Sequence, residues 1–285
     1  MKLSSDSAQE QTVAIWVLRL GVLAMPLSAG SYPFRPAAGA LAWAVWALAV
    51  FVGFYRHPLG LVALRTVLPA GVILAIAASQ WTAGTHLVVL AALAFTNTIG
   101  TAMVNGPAYP NEHRELLRAP GAVLIGPLEL TWLAVVVPLV GASAALQTQR
   151  WILAVVLSVV GVVVGPFAVR SMHALARRWL VFVPAGLVVH DTLVLADPVL
   201  FQRELIELLQ PAALHTDALD LTMGSWGLAL ELSLKEKVPM VLRKDLESGS
   251  SARLIVTPSR AGAVLDVARQ RSIGATVAQG LQTKR

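Results

Sequence analysis

Apolar residues occur along the first two thirds of the chain in runs of about twenty, and short polar or proline-rich links separate the runs. A helix of about twenty apolar residues crosses roughly 30 Å of hydrocarbon. The pattern therefore predicts an all-α membrane bundle of about six transmembrane helices in residues 1–176. The predicted spans cover approximately residues 13–31, 37–55, 61–80, 84–104, 121–143 and 151–170.

The composition supports a bilayer as the solvent of this bundle. Hydrophobic residues make up 56% of the 285-residue chain and charged residues 13%, whereas soluble proteins contain about 25% charged residues. The formal net charge is +6, which could indicate nucleic-acid binding. Many of the basic residues, however, lie in short links beside the apolar runs, where they orient a membrane protein. We therefore expect a lipid bilayer, and no nucleic acid, as partner.

The distribution of the basic residues also predicts the orientation of the chain. With an even number of spans, both termini lie on the same side of the membrane. The opposite side would hold only Arg35 and Arg150 among the arginines of the links. Because the cytoplasmic side carries the excess of basic residues, we expect a multi-pass protein of the cell membrane with both termini in the cytoplasm. The basic residues on that side are Lys2, Arg56, Arg114, Arg118, Arg170, Arg177 and Arg178.

In the last third of the chain the long apolar runs end, and short apolar segments separated by turn residues follow, which are typical of strands. Residues 179–184 and 187–190 flank a Pro/Gly turn and predict a first pair of strands. Residues 219–224 and 227–235 predict a second pair, in which every second residue from Leu228 onwards is a leucine that faces the core.

The remaining elements predict a small cytoplasmic α+β domain over residues 177–285. Residues 197–210 fit a helix that begins at an Asp-Pro pair, and they fit a strand equally well, so both interpretations stay open. Further strands are expected at 238–243 and 253–257, followed by a helix at 261–271 and a frayed tail from residue 272.

This order of strands with one closing helix resembles the small bacterial pleckstrin-homology-like domains, some of which follow membrane spans directly. The residues that carry the resemblance are 179–191, with their turn at 184–186, and 253–258, which run into the last helix. A generic α+β domain with the same element order is the alternative. The chain as a whole is similar to actinobacterial polytopic membrane proteins, a resemblance that implies no known activity.

Three polar side chains inside predicted spans are candidate functional residues, because polar groups in hydrocarbon are costly. Arg19 either extends its side chain to the interface or forms an ion pair with Glu129, which we place at a similar depth. Asn97 either bridges helices by hydrogen bonds or lines a substrate cavity. A transporter would use Arg19, Asn97 and Glu129 along its path.

The longest link between spans, residues 105–121, collects charged groups next to the membrane. An enzyme acting on phosphorylated lipids would need a His or Glu base and arginines to hold phosphate there. The favoured interpretation is a short interfacial helix anchored by arginines, since no familiar catalytic spacing occurs. The candidate residues of this link are Glu112, His113, Arg114, Glu115 and Arg118.

The chain has no cysteine, which excludes disulfides, thiolate nucleophiles and Cys-based metal sites. His173, His190 and His215 are far apart in sequence, so we predict no metal site and no cofactor. The leading functional hypothesis is a non-enzymatic assembly or scaffold subunit whose C-terminal domain binds a partner protein or lipid headgroups. A transporter and a membrane-interface enzyme are the two alternatives.

Overall fold

The structure is a computed structural model, which describes residues 2–29, 36–77, 79–243 and 248–276. The chain divides into two compact units. The helical unit consists of Gln9–Pro107 and Ile125–Ala176. The sheet unit consists of Met1–Ala8, Ala108–Leu124 and Arg177–Arg285, so it includes the link that the sequence places between two spans.

The helices follow the predicted apolar runs closely. Among the described residues, four stretches are long and apolar enough to cross a membrane: Ala8–Ser28, Pro58–Ile76, Gly121–Gln147 and Trp151–Leu175. The helices are α1 (Lys2–Ala29), α2 (Pro36–Phe54), α3 (Pro58–Ala77), α4 (Trp81–Phe95), α5 (Asn97–Val104), α6 (Gly121–Leu124), α7 (Pro127–Gln147), α8 (Trp151–Leu175) and α9 (Ala261–Gln270).

The structure does not reproduce all six predicted spans as single helices. The predicted fourth span is bent by 63° between α4 and α5, and it makes a fifth candidate only if the bent pair is counted as one span. The described apolar part of α2, Trp43–Phe54, is shorter than a full span. Ile152, Val162 and Phe167 on α8 are more than two thirds exposed. Apolar exposure of this kind is compatible with a membrane-embedded part.

The strands form two four-stranded sheets. The first is antiparallel with the order β1-β2-β3-β4, and the second has the order β5-β7-β8-β6, in which only the β6–β8 pairing is parallel. The strands are β1 (His113–Leu116), β2 (Arg178–Val183), β3 (Gly186–Asp191), β4 (Val199–Gln202), β5 (Ile206–Pro211), β6 (Leu219–Asp220), β7 (Leu230–Val241) and β8 (Ser248–Val256).

One hydrophobic core joins both sheets and α9. Alternate residues of β2 and β3 face this core, because successive side chains of a strand point to opposite faces. The α9 residues Val264 and Leu265 pack into the same core. Its fully buried members include Leu180, Phe182, Phe201, Leu209, Leu230, Leu254 and Val264.

Several predictions for the last third need correction. For residues 197–210, where helix and strand were both left open, the structure has the strands β4 and β5. The predicted strands 227–235 and 238–243 are one strand, β7, whose pairing with β8 shifts between Ser233 and Val238. The predicted strand 219–224 is reduced to the two residues of β6, because a tight turn follows it.

The beginning of the predicted frayed tail is ordered. The Leu209 amide donates to the carbonyl of Gly274 over 2.8 Å, and the Thr276 amide donates to the carbonyl of Leu209 over 3.1 Å. Residues 274–276 therefore extend the pairing of β5. The rest of the predicted tail, 277–285, lies outside the described residues.

Candidate functional site

Arg19 does not form the ion pair with Glu129 that was one of its two predicted alternatives. Its Nε donates to the carbonyl of Gly53 over 3.1 Å and its NH2 donates to the carbonyl of Phe54 over 3.2 Å. The guanidinium also lies 4.9 Å from the centre of the Trp16 ring and 4.8 Å from that of Phe54. Arg19 thus caps the end of α2, whose last carbonyls have no partner within the helix.

Glu129 likewise forms a hydrogen bond with the backbone at a helix end. Gly126 has a φ of +99°, which interrupts the helix and creates a new N-terminus at Pro127. The carboxylate of Glu129 accepts a hydrogen bond of 2.6 Å from the amide of Gly126. Glu129 is therefore a capping residue in the first turn of α7, where a negative charge is favoured by the helix dipole.

Asn97 is the first residue of α5, directly after the bend. The Thr96 hydroxyl accepts from the amide of Ile99 over 3.3 Å and starts the new helix. Arg65 Nε donates to the carbonyl of Ala94 over 2.9 Å, next to the end of α4. The Thr98 hydroxyl donates to Glu10 over 3.0 Å. The polar run at the bend therefore supplies backbone caps and links α4 and α5 to neighbouring helices.

The charged link is a strand of the first sheet, and the predicted interfacial helix is wrong. His113 pairs with Phe182 and Leu116 pairs with Trp179 in an antiparallel ladder with β2. The polar side chains of this strand bond within the link: His113 Nε2 donates to Glu115 over 2.9 Å, and Arg114 donates to Glu112, just before the strand, over 2.9 Å. Glu115 is only 1% exposed, which leaves its carboxylate little access to a substrate.

Arg118 connects the link to the second sheet. Its amide donates to the carbonyl of Thr257 over 2.8 Å. Its carbonyl accepts from Arg178 NH1 over 2.7 Å. Nearby, the Ser259 amide donates to the carbonyl of Leu116 over 2.7 Å. The candidate residues of the link therefore hold the sheet unit together.

His190 lies on the other face of the first sheet, stacked on Trp179 with 5.0 Å between ring centres. Its Nδ1 is 2.8 Å from the carbonyl of Arg177. Burial lowers the pKa of His190, and the positive charge of Arg177 lowers it further. Because the folded state then takes up a proton less readily than the unfolded state, His190 destabilises the sheet unit as the pH falls.

We expect the sheet unit to lose stability as the pH falls below about 6.5, the ordinary imidazole pKa, and His190→Gln to weaken that loss. The measurement is thermal unfolding of the full chain at several pH values between about 7.5 and 5.5, on either side of that pKa. The control is His215→Gln, at an exposed histidine of the same unit. An unchanged pH dependence in the His190 variant would contradict the prediction.

The turn between β6 and β7 covers residues that the sequence predicted as strand. The amide of Thr222 donates to Asp220 over 2.7 Å, and the amide of Gly224 donates to the Thr222 hydroxyl over 3.2 Å. The Ser225 hydroxyl lies 2.6 Å from the Thr222 carbonyl and 3.0 Å from the Arg118 carbonyl. These bonds fix the turn against the interhelix link.

Large apolar side chains of this region face outwards. Leu214 is 99% exposed, Met223 48%, Trp226 60% and Leu228 53%. All four lie between β5 and β7, where the Ala212 amide donates to the Ala229 carbonyl over 2.9 Å and closes the segment. We call residues 212–229 the apolar loop.

The backbone of the apolar loop has positive φ angles and close contacts that few residue types allow. Met223 has a φ of +53°, which is rare for a residue with a side chain. Gly227 has a φ of +127°, and a Cβ there would lie 2.7 Å from Arg118 Nε. At Gly121, a Cβ would lie 2.8 Å from the Trp226 indole nitrogen. A residue with a side chain held at positive φ, as Met223 is, often marks a functional loop.

The sequence does contain a signal for the turn, namely Gly224 and Gly227 around a tryptophan. The leucines before and after this turn alternate with other residues, and this alternation led to the prediction of strands at 219–224 and 227–235. The loop has two aspartates, Asp217 and Asp220, and neither lysine nor arginine. Among the described residues, no group of three or more His, Asp or Glu side chains could hold a metal ion.

Comparisons of the chain with protein-family models, with curated proteins and with solved structures find no match.

Proposed function

We propose that this chain is a non-enzymatic assembly subunit of a cell membrane, and that the apolar loop of its sheet unit binds a partner protein on the cytoplasmic side. The proposal rests on the side chains of Met223, Trp226 and Leu228, which are exposed to solvent. Hydrogen bonds hold the turn that carries them. Trp and Met are enriched in protein interfaces, and an ordered loop loses little conformational entropy on binding.

The charge of the apolar loop favours a protein over lipid headgroups as the partner. Bacterial and cytoplasmic membrane surfaces are anionic and attract clusters of Lys and Arg. The loop has none, and its charged side chains are Asp217 and Asp220. An acidic, aromatic loop is repelled by such a surface, whereas it complements a partner with an apolar pocket and a basic rim.

Membrane embedding by six spans with both termini in the cytoplasm belongs to the same proposal. It is supported by the long apolar helices and by the distribution of arginines between alternate links. The succession of strands and one closing helix, α9, supports a relationship of the sheet unit to pleckstrin-homology-like domains.

The two alternative functions have less support from the contacts described above. Arg19 and Glu129 cap helix ends, so a transport path would have to break backbone hydrogen bonds. The acid and base groups of the link, His113 and Glu115, bond to each other, and Glu115 is buried. An enzyme would need at least one of them free to reach a substrate.

The proposal predicts a cross-link to a protein from the apolar loop. We would place a photoreactive amino acid at position 226 of the full chain, irradiate native membranes, and identify adducts by mass spectrometry. A discrete protein adduct is expected at position 226. The matched control is position 109, since Tyr109 is a 75% exposed aromatic residue of the same unit. Only lipid adducts at 226 would instead assign the loop to the bilayer interface, and equal adducts at both positions would refute the proposal.

An affinity measurement completes the test once the partner is identified. Trp226→Ala should weaken binding by about 2 kcal/mol, the usual loss for a central aromatic anchor. That corresponds to roughly a 30-fold higher dissociation constant. Tyr109→Ala should leave the constant within about 2-fold, because a residue outside the interface contributes little.

A further inference from the structure

The helical unit carries more positive than negative charge. Its segments, Gln9–Pro107 and Ile125–Ala176, contain six arginines, no lysine and two carboxylates. Both carboxylates already accept hydrogen bonds, Glu10 from the hydroxyl of Thr98 and Glu129 from the amide of Gly126. A charged side chain in or near hydrocarbon is costly unless another group compensates it. Anions that compensate the remaining arginines therefore have to come from outside this unit.

Arg19 is held at the end of α2 and still has hydrogen-bond donors to offer. A guanidinium has five N–H hydrogens, and two of them bond to the carbonyls of Gly53 and Phe54. Its carbon lies 4.9 Å from the ring centre of Trp16 and 4.8 Å from that of Phe54, so the two rings restrict its orientation. In the described part of the chain, the other N–H hydrogens of Arg19 bond to no group.

A second cation follows α2 directly. Arg56 lies two residues after Phe54, and its side chain is exposed. Its positive charge acts on that of Arg19, and the two repel each other. Within the ranges that the structure describes, no ion pair joins either guanidinium to a carboxylate. An anion bound by both arginines would relieve this repulsion.

The end of α2 lies at the membrane boundary in the proposed embedding. Trp16 is 49% exposed and Tyr55, directly after α2, is 60% exposed, and such rings prefer the membrane–water interface. Arg19 belongs to the apolar stretch Ala8–Ser28. Side chains of a helix tilt toward its N-terminus, and this tilt directs the guanidinium of Arg19 to the boundary at which α2 ends. Phospholipid headgroups lie in this interfacial region.

We propose that Arg19 and Arg56 bind the phosphate of a phospholipid with a net negative charge, in the cytoplasmic leaflet. Guanidinium groups bind phosphate through charge-assisted hydrogen bonds, and basic pockets on the cytoplasmic side of transmembrane helices bind anionic headgroups. A choline headgroup brings its own positive charge next to its phosphate, and the pair of arginines repels that charge. The inference rests on the membrane embedding and orientation proposed above and is independent of the apolar loop.

The test is competition between two lipids for the purified full-length protein. The delipidated protein is mixed with equal amounts of phosphatidylglycerol and phosphatidylcholine with identical acyl chains, and bound lipids are counted by native mass spectrometry. We expect the glycerol lipid to be retained roughly 5- to 30-fold over the choline lipid, the range for one or two arginines near an anionic headgroup. A large excess of inorganic phosphate should not displace it, because free phosphate has no acyl chains to bury. Displacement by phosphate would assign the arginines to a soluble anion and overturn the lipid proposal.

Substitutions of Arg56 locate the effect without disturbing the fold, because its exposed side chain makes no contact with the other described residues. Arg56→Gln should lower the preference about 5-fold. Arg56→Lys keeps the positive charge and should retain most of the preference. Arg19→Gln should lower it as well, but this change also removes the cap of α2, so the Arg56 variants decide.

The matched control is Arg150→Gln, which removes the same charge from an exposed arginine at the start of α8. It should leave the preference unchanged. An equal loss in the Arg150 and Arg56 variants would mean that net charge, and not this pair, selects the lipid, and would overturn the inference. Equal retention of both lipids would also overturn it and would leave the membrane embedding intact. Retention of neither lipid would overturn the embedding as well.

Discussion

Replacing Arg178 with methionine is expected to destabilise the sheet unit by about 3–5 kcal/mol, because it leaves a buried carboxylate without its partner. Arg178 and Asp191 face each other on β2 and β3 and are 1% and 2% exposed. Nε and NH2 of the guanidinium donate to the two carboxylate oxygens over 2.8 and 2.7 Å. Because Asp191 is buried, its carboxylate would be left as an uncompensated charge away from the surface.

Hydrogen exchange of the amides of β2 and β3 in the full-length protein measures this loss. Arg269→Met is the control, since Arg269 pairs with Asp266 on the surface of α9 and such pairs contribute about 0.2–1 kcal/mol. The double variant Arg178→Met with Asp191→Leu should recover most of the stability, because no unpaired charge remains. Normal protection in the single variant would refute a buried ion pair.

Local patterns explain which parts of the fold were predictable. The hairpin of β2 and β3 was predicted because two short apolar segments flank a Pro/Gly turn, and the structure pairs them on either side of that turn at Gly186. The helix α9 was predicted from its apolar face. Strand β1 was not, because its four residues are mostly charged and its partner β2 lies about sixty residues further along the chain.

Of the two alternatives predicted for Arg19, the ion pair with Glu129 does not form, because both side chains bond to backbone groups at helix ends. Placing Arg19 and Glu129 at one depth made an ion pair attractive. The helix break at Gly126 could not be read from periodicity, and it gave Glu129 an amide to accept from. The carbonyls at the end of α2 competed for Arg19 in the same way. Arg19 and Glu129 each bond to backbone groups that have no partner within a helix, and they do not bond to each other.

The apolar loop was mispredicted because its sequence has two signals that conflict. Leu228 continues the alternation of β7, which indicates a strand. The positive φ values of Gly224 and Gly227 reverse the chain first, so Leu228 falls outside the ladder and its side chain is exposed. The turn is indicated by the glycines that flank Trp226. An analysis of hydrophobic periodicity alone does not take glycines into account.

Leu117→Ala is expected to destabilise the sheet unit by about 2–5 kcal/mol, the usual cost of a leucine truncated in a core. Leu117 follows β1, is 6% exposed, and belongs to the core cluster of both sheets. Its amide donates to the carbonyl of Arg178 over 2.9 Å, and it forms a bridge with Pro258. The effect should therefore appear far along the chain, as faster hydrogen exchange in β2 and at residues 256–259.

The matched control is Leu214→Ala, because Leu214 belongs to the same unit and is 99% exposed; its effect on stability should stay within about 0.5 kcal/mol. If Leu117→Ala left exchange after residue 177 unchanged, the interhelix link would not be part of the sheet unit. If exchange rises as expected, folding of the sheet unit requires both the link before α7 and the segment that follows α8. A scaffold built this way cannot be separated from its bundle by cutting at residue 177, so the function of the sheet unit has to be tested by point substitutions in the full chain.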